Sequence, residues 1–272
     1  MINFEEYKKT GYQIVRGLFN ESEIDQVRIE AQDIFKKQMN QLGIETPNSD
    51  SEEEFNKKLF QLFSDRPDLI ISSGKHIQHL ISLHRISLDE RLTNILKQLG
   101  INFPNICTRP VLFFNAQKLA KKQVYWKTDP HQDWRSMQGS INSMVAWVAL
   151  CDVDISLGAL EVIPGSHLDG LQTKEMVDSF GIIPEAQLDM NKFVPIEVKK
   201  GDVLFFSSFL IHQSGNNSTE FGIRWSCHFR YNDMDETDFI HRGYPHPYVY
   251  YPNPDLLTPE YPSDERVKEY FQ

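Results

Sequence analysis

From residue 106 to residue 231 the sequence is cut by Gly, Pro, Asn and Asp into short runs that are apolar or alternate apolar with polar. Runs of that kind, bounded by turn formers and recurring at short intervals, read as the strands of an all-β sandwich or barrel. They predict strands near 107–115, 125–134, 143–151, 159–163, 193–198, 203–212 and 222–231. That set is enough for a mainly β fold with a double-stranded β-helix core, the jelly roll of cupin-like proteins. The last strand has two unlike faces: Ile223, Trp225, Cys227 and Phe229 share one, while Arg224, Ser226, His228 and Arg230 share the other. A polar face either lines a cavity or meets solvent, and periodicity alone leaves both open.

The first hundred residues have a different texture. A short strand lies between Gly11 and Gly17, after which Asn20 caps a helix and Glu23 closes a capping box. Ile24, Val27, Ala31, Ile34 and Phe35 then make one apolar stripe on a helix that runs to about Gln38. The polar, acidic segment 41–54 breaks the pattern and reads as a loop, a candidate lid. Helical patterns resume over 54–63, from about 68 to 84, and over 88–99. The expected organisation is a single domain, 1–272. Helices of 1–105 buttress the outside of one sheet, the β core occupies 106–232, and 233–272 is irregular, with Pro and Tyr concentrated at 242–262.

Asp and Glu number 38 against 28 Lys and Arg, a net charge of -10, which argues against nucleic acid or an anionic membrane as the main partner. The charged start, Met1-Ile2-Asn3-Phe4-Glu5-Glu6, lacks the apolar core of a signal peptide. The longest apolar runs, 144–150 and 203–211, fall well short of the ~18 residues that cross a membrane. Cys107, Cys151 and Cys227 are odd in number, widely spaced and set among apolar residues, so no disulfide framework is expected. These features predict a soluble, cytoplasmic protein acting on a small molecule. Oligomeric state is not legible.

The stretch Asp129-Pro130-His131-Gln132-Asp133-Trp134 carries the chemistry. In an extended strand His131 and Asp133 project to the same side. One imidazole and one carboxylate leave a divalent ion under-coordinated. A second His from a neighbouring strand completes a two-His, one-carboxylate set with open positions, which suits a non-haem Fe(II) oxygenase. His212, at the end of the apolar run Val203-Leu204-Phe205-Phe206-Ser207-Ser208-Phe209-Leu210-Ile211, is the candidate. Arg224 follows twelve residues later, beyond the turn Ser214-Gly215-Asn216-Asn217-Ser218, and a hairpin would carry it deeper into the barrel than His212. A buried guanidinium requires a partner, and its planar fork suits a carboxylate. That carboxylate would belong to a cosubstrate.

Other groups weigh less. His76 and His79 lie on a helical pattern without a third ligand and read as a polar helix face. His167, after Pro164-Gly165-Ser166, is a turn histidine that either bonds to backbone or touches substrate. No Gly-x-Ser-x-Gly elbow, Gly-x-Gly-x-x-Gly or Walker loop is present.

His131-Gln132-Asp133, then Ala146-Trp147, then Gly158-Ala159-Leu160-Glu161-Val162-Ile163-Pro164-Gly165-Ser166-His167, Gly201-Asp202-Val203, His212-Gln213-Ser214 and Arg224 come in that order. With Gly11-Tyr12-Gln13-Ile14-Val15-Arg16-Gly17-Leu18-Phe19 near the start, the series resembles the phytanoyl-CoA dioxygenase family of Fe(II)/2-oxoglutarate-dependent oxygenases. The resemblance implies that His131, Asp133 and His212 bind Fe(II), and that Arg224, helped by Ser214, pairs with the distal carboxylate of 2-oxoglutarate. Gln132 and Trp147 match family positions near the cosubstrate. A further cosubstrate contact is implied from the strand before His131, near Thr108 and Arg109, without a residue assignment. The implied reaction uses 2-oxoglutarate and O2 to hydroxylate a substrate, with release of succinate and CO2. Asp133 separates the chain from related halogenases, which carry a small residue in its place. Two rivals stand: a non-catalytic jelly-roll module that binds a carboxylate or sugar, and a cupin-like metal-dependent isomerase or hydrolase, which has no evident use for Arg224. Ser226, His228 and Arg230, with Trp126 and Trp134 available for stacking, favour a small polar metabolite such as a carbohydrate derivative over a long acyl chain.

Overall fold

Helices of the N-terminal half start where the sequence supplies an acceptor for their free N–H groups. Asn3 caps α1 (Phe4–Thr10), and Asn20 caps α2 (Glu21–Gln41). Ser51 caps α3 (Glu52–Asp65), and Pro67 opens α4 (Pro67–His76), where its missing N–H costs nothing. α5 (Ile81–Ser87) follows, and Asp89 caps α6 (Glu90–Gln98). At α2 the box is complete: Glu23 N donates to Asn20 Oδ1 (3.1 Å) and Asn20 N donates to Glu23 Oε2 (2.8 Å). The helix passes Gln38 because Met39 extends the buried row of Ile24, Val27, Ala31 and Phe35, whereas Ile34 is only partly buried. The expected loop at 41–54 is therefore corrected at both ends, since Gln41 belongs to α2 and Glu52, Glu53 and Glu54 to α3.

The computed structural model describes residues 2–46, 51–122, 127–137, 139–172, 175–177 and 180–241. The expectations for 242–262 and for Trp126 lie outside those residues. The strands are β1 (Tyr12–Val15), β2 (Pro104–Ile106), β3 (Val111–Asn115), β4 (Met144–Ala149), β5 (Leu160–Val162), β6 (Glu175–Val177), β7 (Phe180–Ile182), β8 (Val194–Ile196), β9 (Val203–Ser207), β10 (His212–Ser214) and β11 (Arg224–Asp233). Two short α-helices, α7 (Trp134–Met137) and α8 (Thr237–His241), and five 3-10 turns make up the remaining described elements. One antiparallel sheet runs β1-β9-β4-β11-β2, with β3 also on β11; a second runs β10-β5-β8, and β6 pairs with β7.

The large sheet has a helix-facing side and a site-facing side. Trp225 of β11 packs on Phe114 of β3 (5.2 Å between rings), and Phe114 meets Phe35 of α2 edge-on (5.5 Å). The helices thus cover the outside of this sheet. Arg224, Ser226, His228 and Arg230 turn the other way, and Arg224 reaches Ser214 of the second sheet. The polar face of β11 lines the interior of the sandwich. Cys107, Cys151 and Cys227 are buried free thiols.

Three strand expectations need correction. No strand spans 127–134: Pro130 cannot donate to a ladder, so pairing contracts to a bridge at His131, and the chain turns into α7 at Trp134. The run 203–212 is two strands in different sheets. β9 ends at Ser207, Leu210 N closes a turn on Ser207 O (2.9 Å), and His212 opens β10. Its two serines mark the crossover, where Ser208 Oγ hydrogen-bonds Ser143 Oγ. Consequently β10 and β11 are not a hairpin, and Arg224 faces Ser214 across the sandwich. On the 107–115 run only 111–115 is strand. Ile106 pairs with Tyr231 and Val111 with His228, so this side carries two residues more than β11 between those points, a bulge containing Pro110.

Candidate metal and cosubstrate site

His131 and His212 are joined first by backbone. His131 N donates to His212 O (3.0 Å) and His212 N donates to His131 O (3.1 Å). A pair that exchanges both bonds projects its side chains on one face, and the ring centroids lie 4.1 Å apart. Each imidazole is then fixed by the carbonyl two residues before it. His131 Nδ1 lies 2.7 Å from Asp129 O and His212 Nδ1 lies 2.9 Å from Leu210 O. A carbonyl only accepts, so both Nδ1 atoms carry a proton, and Nε2 is the ring atom each His turns to a ligand. Burial, and then the neighbouring His131, pushes His212 down to about 3, which keeps it a neutral ligand at physiological pH.

Asp133 reaches the same point from the turn that starts α7. Its Oδ1 lies 3.5 Å from His131 Nε2, and one ligand atom from each of His131, Asp133 and His212 falls within 4.8 Å of the others. No other group of this kind occurs among the described residues. Burial alone would raise the Asp133 carboxyl, but the Arg230 guanidinium and the two imidazoles outweigh it and hold it well below the usual carboxylate range. Two imidazoles and one carboxylate on one face, all buried, fit Fe(II).

Deeper in the sandwich sits Arg224, 1% exposed, with no carboxylate paired to it among the described residues. Its Nη1 donates to Gly158 O, its Nη2 to Ser214 Oγ (3.0 Å), and Ser214 Oγ also meets Thr128 Oγ1 (2.9 Å). Burial pushes the guanidinium down to about 10, yet it remains a cation at neutral pH and requires an anion. Three of the buried donors that lack a hydrogen-bond acceptor belong to this region: Arg224 Nε, Asn115 Nδ2 and Trp147 Nε1. Asn115 stands opposite Arg224 and Trp147 opposite His228, so both share the inner face of β11. Buried donors left unmatched are costly. An anion with several acceptor oxygens, such as the far end of 2-oxoglutarate, matches them.

The fold thus gathers His131, Asp133, His212, Ser214, Arg224 and Trp147 on facing inner surfaces. Gln132 does something else. Its Nε2 donates to Gly170 O (2.8 Å) and Phe209 O (2.7 Å), and its Oε1 accepts from Gln172 N (2.9 Å), so both amide hydrogens are committed to main chain. His167 Nε2 bonds to Lys8 O (3.0 Å), and His76 Nδ1 donates to Ser72 O (2.7 Å), backbone roles for both. Three residues escaped the sequence reading. Thr128 and Asn115 are visible only through the strand register. Arg230, already placed on the polar face, forms an ion pair with Asp133 (3.0 Å) that nothing in the sequence announces.

Comparison with known proteins agrees with this geometry. The family model described as phytanoyl-CoA dioxygenase matches residues 7–225. Phytanoyl-CoA dioxygenase 1 of Oryza sativa subsp. japonica is 38% identical over 113 residues, which are 40% of each chain. The phytanoyl-CoA dioxygenase domain-containing protein 1 homolog of Dictyostelium discoideum is 26% identical over 79% of this chain and 84% of its own. Peroxisomal phytanoyl-CoA dioxygenase of Bos taurus is 27% identical over 82% of this chain and 66% of its own. The chain therefore spans less than half of the rice relative. Among solved structures, the epimerase SnoN in complex with Fe3+, alpha ketoglutarate and nogalamycin RO shares the fold with a TM-score of 0.58 at 20% identity, covering 85% of this chain and 82% of its own. The non-heme monooxygenase ThoJ does so with a TM-score of 0.57 at 16% identity, over 84% and 76%. With a buried His-Asp-His face, an unmatched guanidinium beside it and a family match across most of its length, the chain belongs to the phytanoyl-CoA dioxygenase family of Fe(II)/2-oxoglutarate-dependent oxygenases.

Proposed function

We propose that the protein is a hydroxylase that takes a small polar metabolite, 2-oxoglutarate and O2 to a hydroxylated product, succinate and CO2. One observation carries the reading. His212 and Ser214 stand two residues apart on β10 and so project to one side, His212 with the candidate iron ligands and Ser214 on Arg224 (3.0 Å), which suits a cosubstrate held at one end by the metal and at the other by a cation. Fe(II) with 2-oxoglutarate supplies the oxidising chemistry when bound. On this reading the chain's own residues set the geometry. His131 and His212 present Nε2 atoms, Asp133 presents a carboxylate, and Arg224 with Ser214 grips the distal carboxylate, with Asn115 and Trp147 as further donors. The polar inner face of β11, with Ser226, His228 and Arg230, supports a polar substrate.

Relatives of this fold run more than one outcome: SnoN is described as an epimerase and SnoK as a carbocyclase. Asp133 disfavours halogenation, since related halogenases carry a small residue in its place. Anaerobic reconstitution with Fe(II) and 2-oxoglutarate tests the site through the visible metal-to-ligand charge-transfer band. We expect the band in wild type, its loss in His212→Ala and its weakening in Arg224→Ala. No band in iron-loaded wild type would favour a non-catalytic jelly-roll module. Succinate release with polar and fatty acyl-CoA candidates then tests the substrate class, and oxidation of only the acyl-CoA compounds would overturn the polar assignment.

A further inference from the structure

We propose that Arg230 is a positioning residue of the metal site. It ties up one oxygen of Asp133, so that the carboxylate ligates through the other oxygen alone and leaves open the coordination position that a chelating carboxylate would close. The inference rests on the Fe(II)/2-oxoglutarate reading above and adds a residue to it.

Arg230 and Asp133 are 97 residues apart, on β11 and at the start of α7, and the fold brings both into the interior with side chains 11% and 3% exposed. The contact is asymmetric. Asp133 Oδ2 accepts from Arg230 Nε (3.1 Å) and lies 3.0 Å from Nη2, while Oδ1 accepts from Nη2 at the longer distance of 3.3 Å. Oδ1 is also the oxygen near His131 Nε2, at 3.5 Å. A carboxylate oxygen offers two lone pairs. The fork therefore holds both oxygens, Oδ2 the more closely, and Oδ1 keeps its second lone pair on the side of His131 Nε2. The guanidinium fork, planar and fixed, can hold this division; a point-like ammonium cannot.

The division matters because of what the site must accommodate. The facial set is useful for its open positions. A cosubstrate that chelates through a keto oxygen and a carboxylate takes two, and O2 needs the third. Carboxylates readily bind hard cations through both oxygens. An unrestrained Asp133 would therefore compete with the cosubstrate for the metal. No other cation among the described residues pairs with Asp133 apart from the His131 imidazole.

The test uses the full-length protein loaded anaerobically with Co(II), whose visible spectrum reports coordination number. Arg230→Lys and Arg230→Gln are compared with wild type for Co(II) affinity, 2-oxoglutarate affinity on the Co(II) protein, and melting temperature of the metal-free protein. We expect both variants to bind Co(II) within about threefold of wild type and to bind 2-oxoglutarate more weakly by about tenfold or more. Their Co(II) spectra before 2-oxoglutarate should shift toward higher coordination, with Lys less affected than Gln in stability. Unchanged 2-oxoglutarate affinity and spectra would overturn the proposal. Parallel loss of Co(II), 2-oxoglutarate and melting temperature would overturn it too, since that pattern marks a residue that only holds the fold. Failure of wild type itself to bind Co(II) would instead defeat the oxygenase reading.

Discussion

Arg224 is a cation placed where no described side chain neutralises it, and its neighbours repeat the pattern in neutral form. Asn115 Nδ2 and Trp147 Nε1 are buried donors facing the same space without acceptors. In the absence of an anion such groups lower stability, and exchanging one for an apolar group of similar shape is neutral or favourable. Asn115→Leu should therefore leave the melting temperature of the metal-free protein unchanged or raised. It should also shrink the stabilisation that 2-oxoglutarate confers in the presence of a redox-inert metal, since that stabilisation follows the logarithm of ligand concentration over Kd. Thermal melts with and without cosubstrate check both signs. Residues whose identity is chemically rare in a core were legible at this scale: a His-x-Asp before a Trp, a His closing an apolar run, an Arg on the polar face of an alternating strand. Asn115 and Thr128 were not, because their roles come from which residue lies opposite them, and register is not written locally in a strand.

Elements were legible where a local rule decides them and illegible where the partner does. The capping box at Asn20 and the alternating face of β11 follow from near neighbours in the chain. The break between β9 and β10 does not; it depends on Ser208 finding Ser143 and on Gln132 clamping the corner at Phe209. That clamp holds three main-chain groups on two segments: Gly170 O and Gln172 N on one, Phe209 O on the other. Gln132→Ala would strand two carbonyls and one N–H, so we expect a loss of about 1–3 kcal/mol in urea denaturation. His212 begins only three residues beyond Phe209, and Co(II) affinity in this variant should fall as well, because the strand carrying that ligand loses its anchor. The expected strand at 125–134 failed for a related reason: the alternation that suggests it is overruled by Pro130 and by the turn into α7.

The whole molecule is a sandwich whose large sheet is backed by helices, and no helix among the described residues is long and apolar enough to cross a membrane. Helix backing depends on a polar node as well as on the Phe35, Phe114 and Trp225 stack. Arg91 of α6 bonds Glu23 of α2 (2.6 Å), Asp89 (2.8 Å) and Leu18 O (3.2 Å). The hydrogen bond from Arg91 is the leading influence that lowers Glu23 and Asp89 below their ordinary values of 4.5 and 3.8. Carboxyls lowered in the folded state stabilise it above those ordinary values, and the contribution is lost as pH falls through the lowered ones. Arg91→Met should accordingly cost most stability near neutral pH and converge on wild type in strong acid, read from denaturant melts across that range. The node is partly exposed, so the effect is modest and weakens with salt. The mutual backbone bonds of His131 and His212 have a consequence for assembly. Slipping that pairing by one residue would turn an imidazole to the outer side, and no arrangement of the remaining side chains could replace it. Competence to load a metal thus works as a proofreading signal: a molecule closed in the wrong register has no weakened centre but none at all.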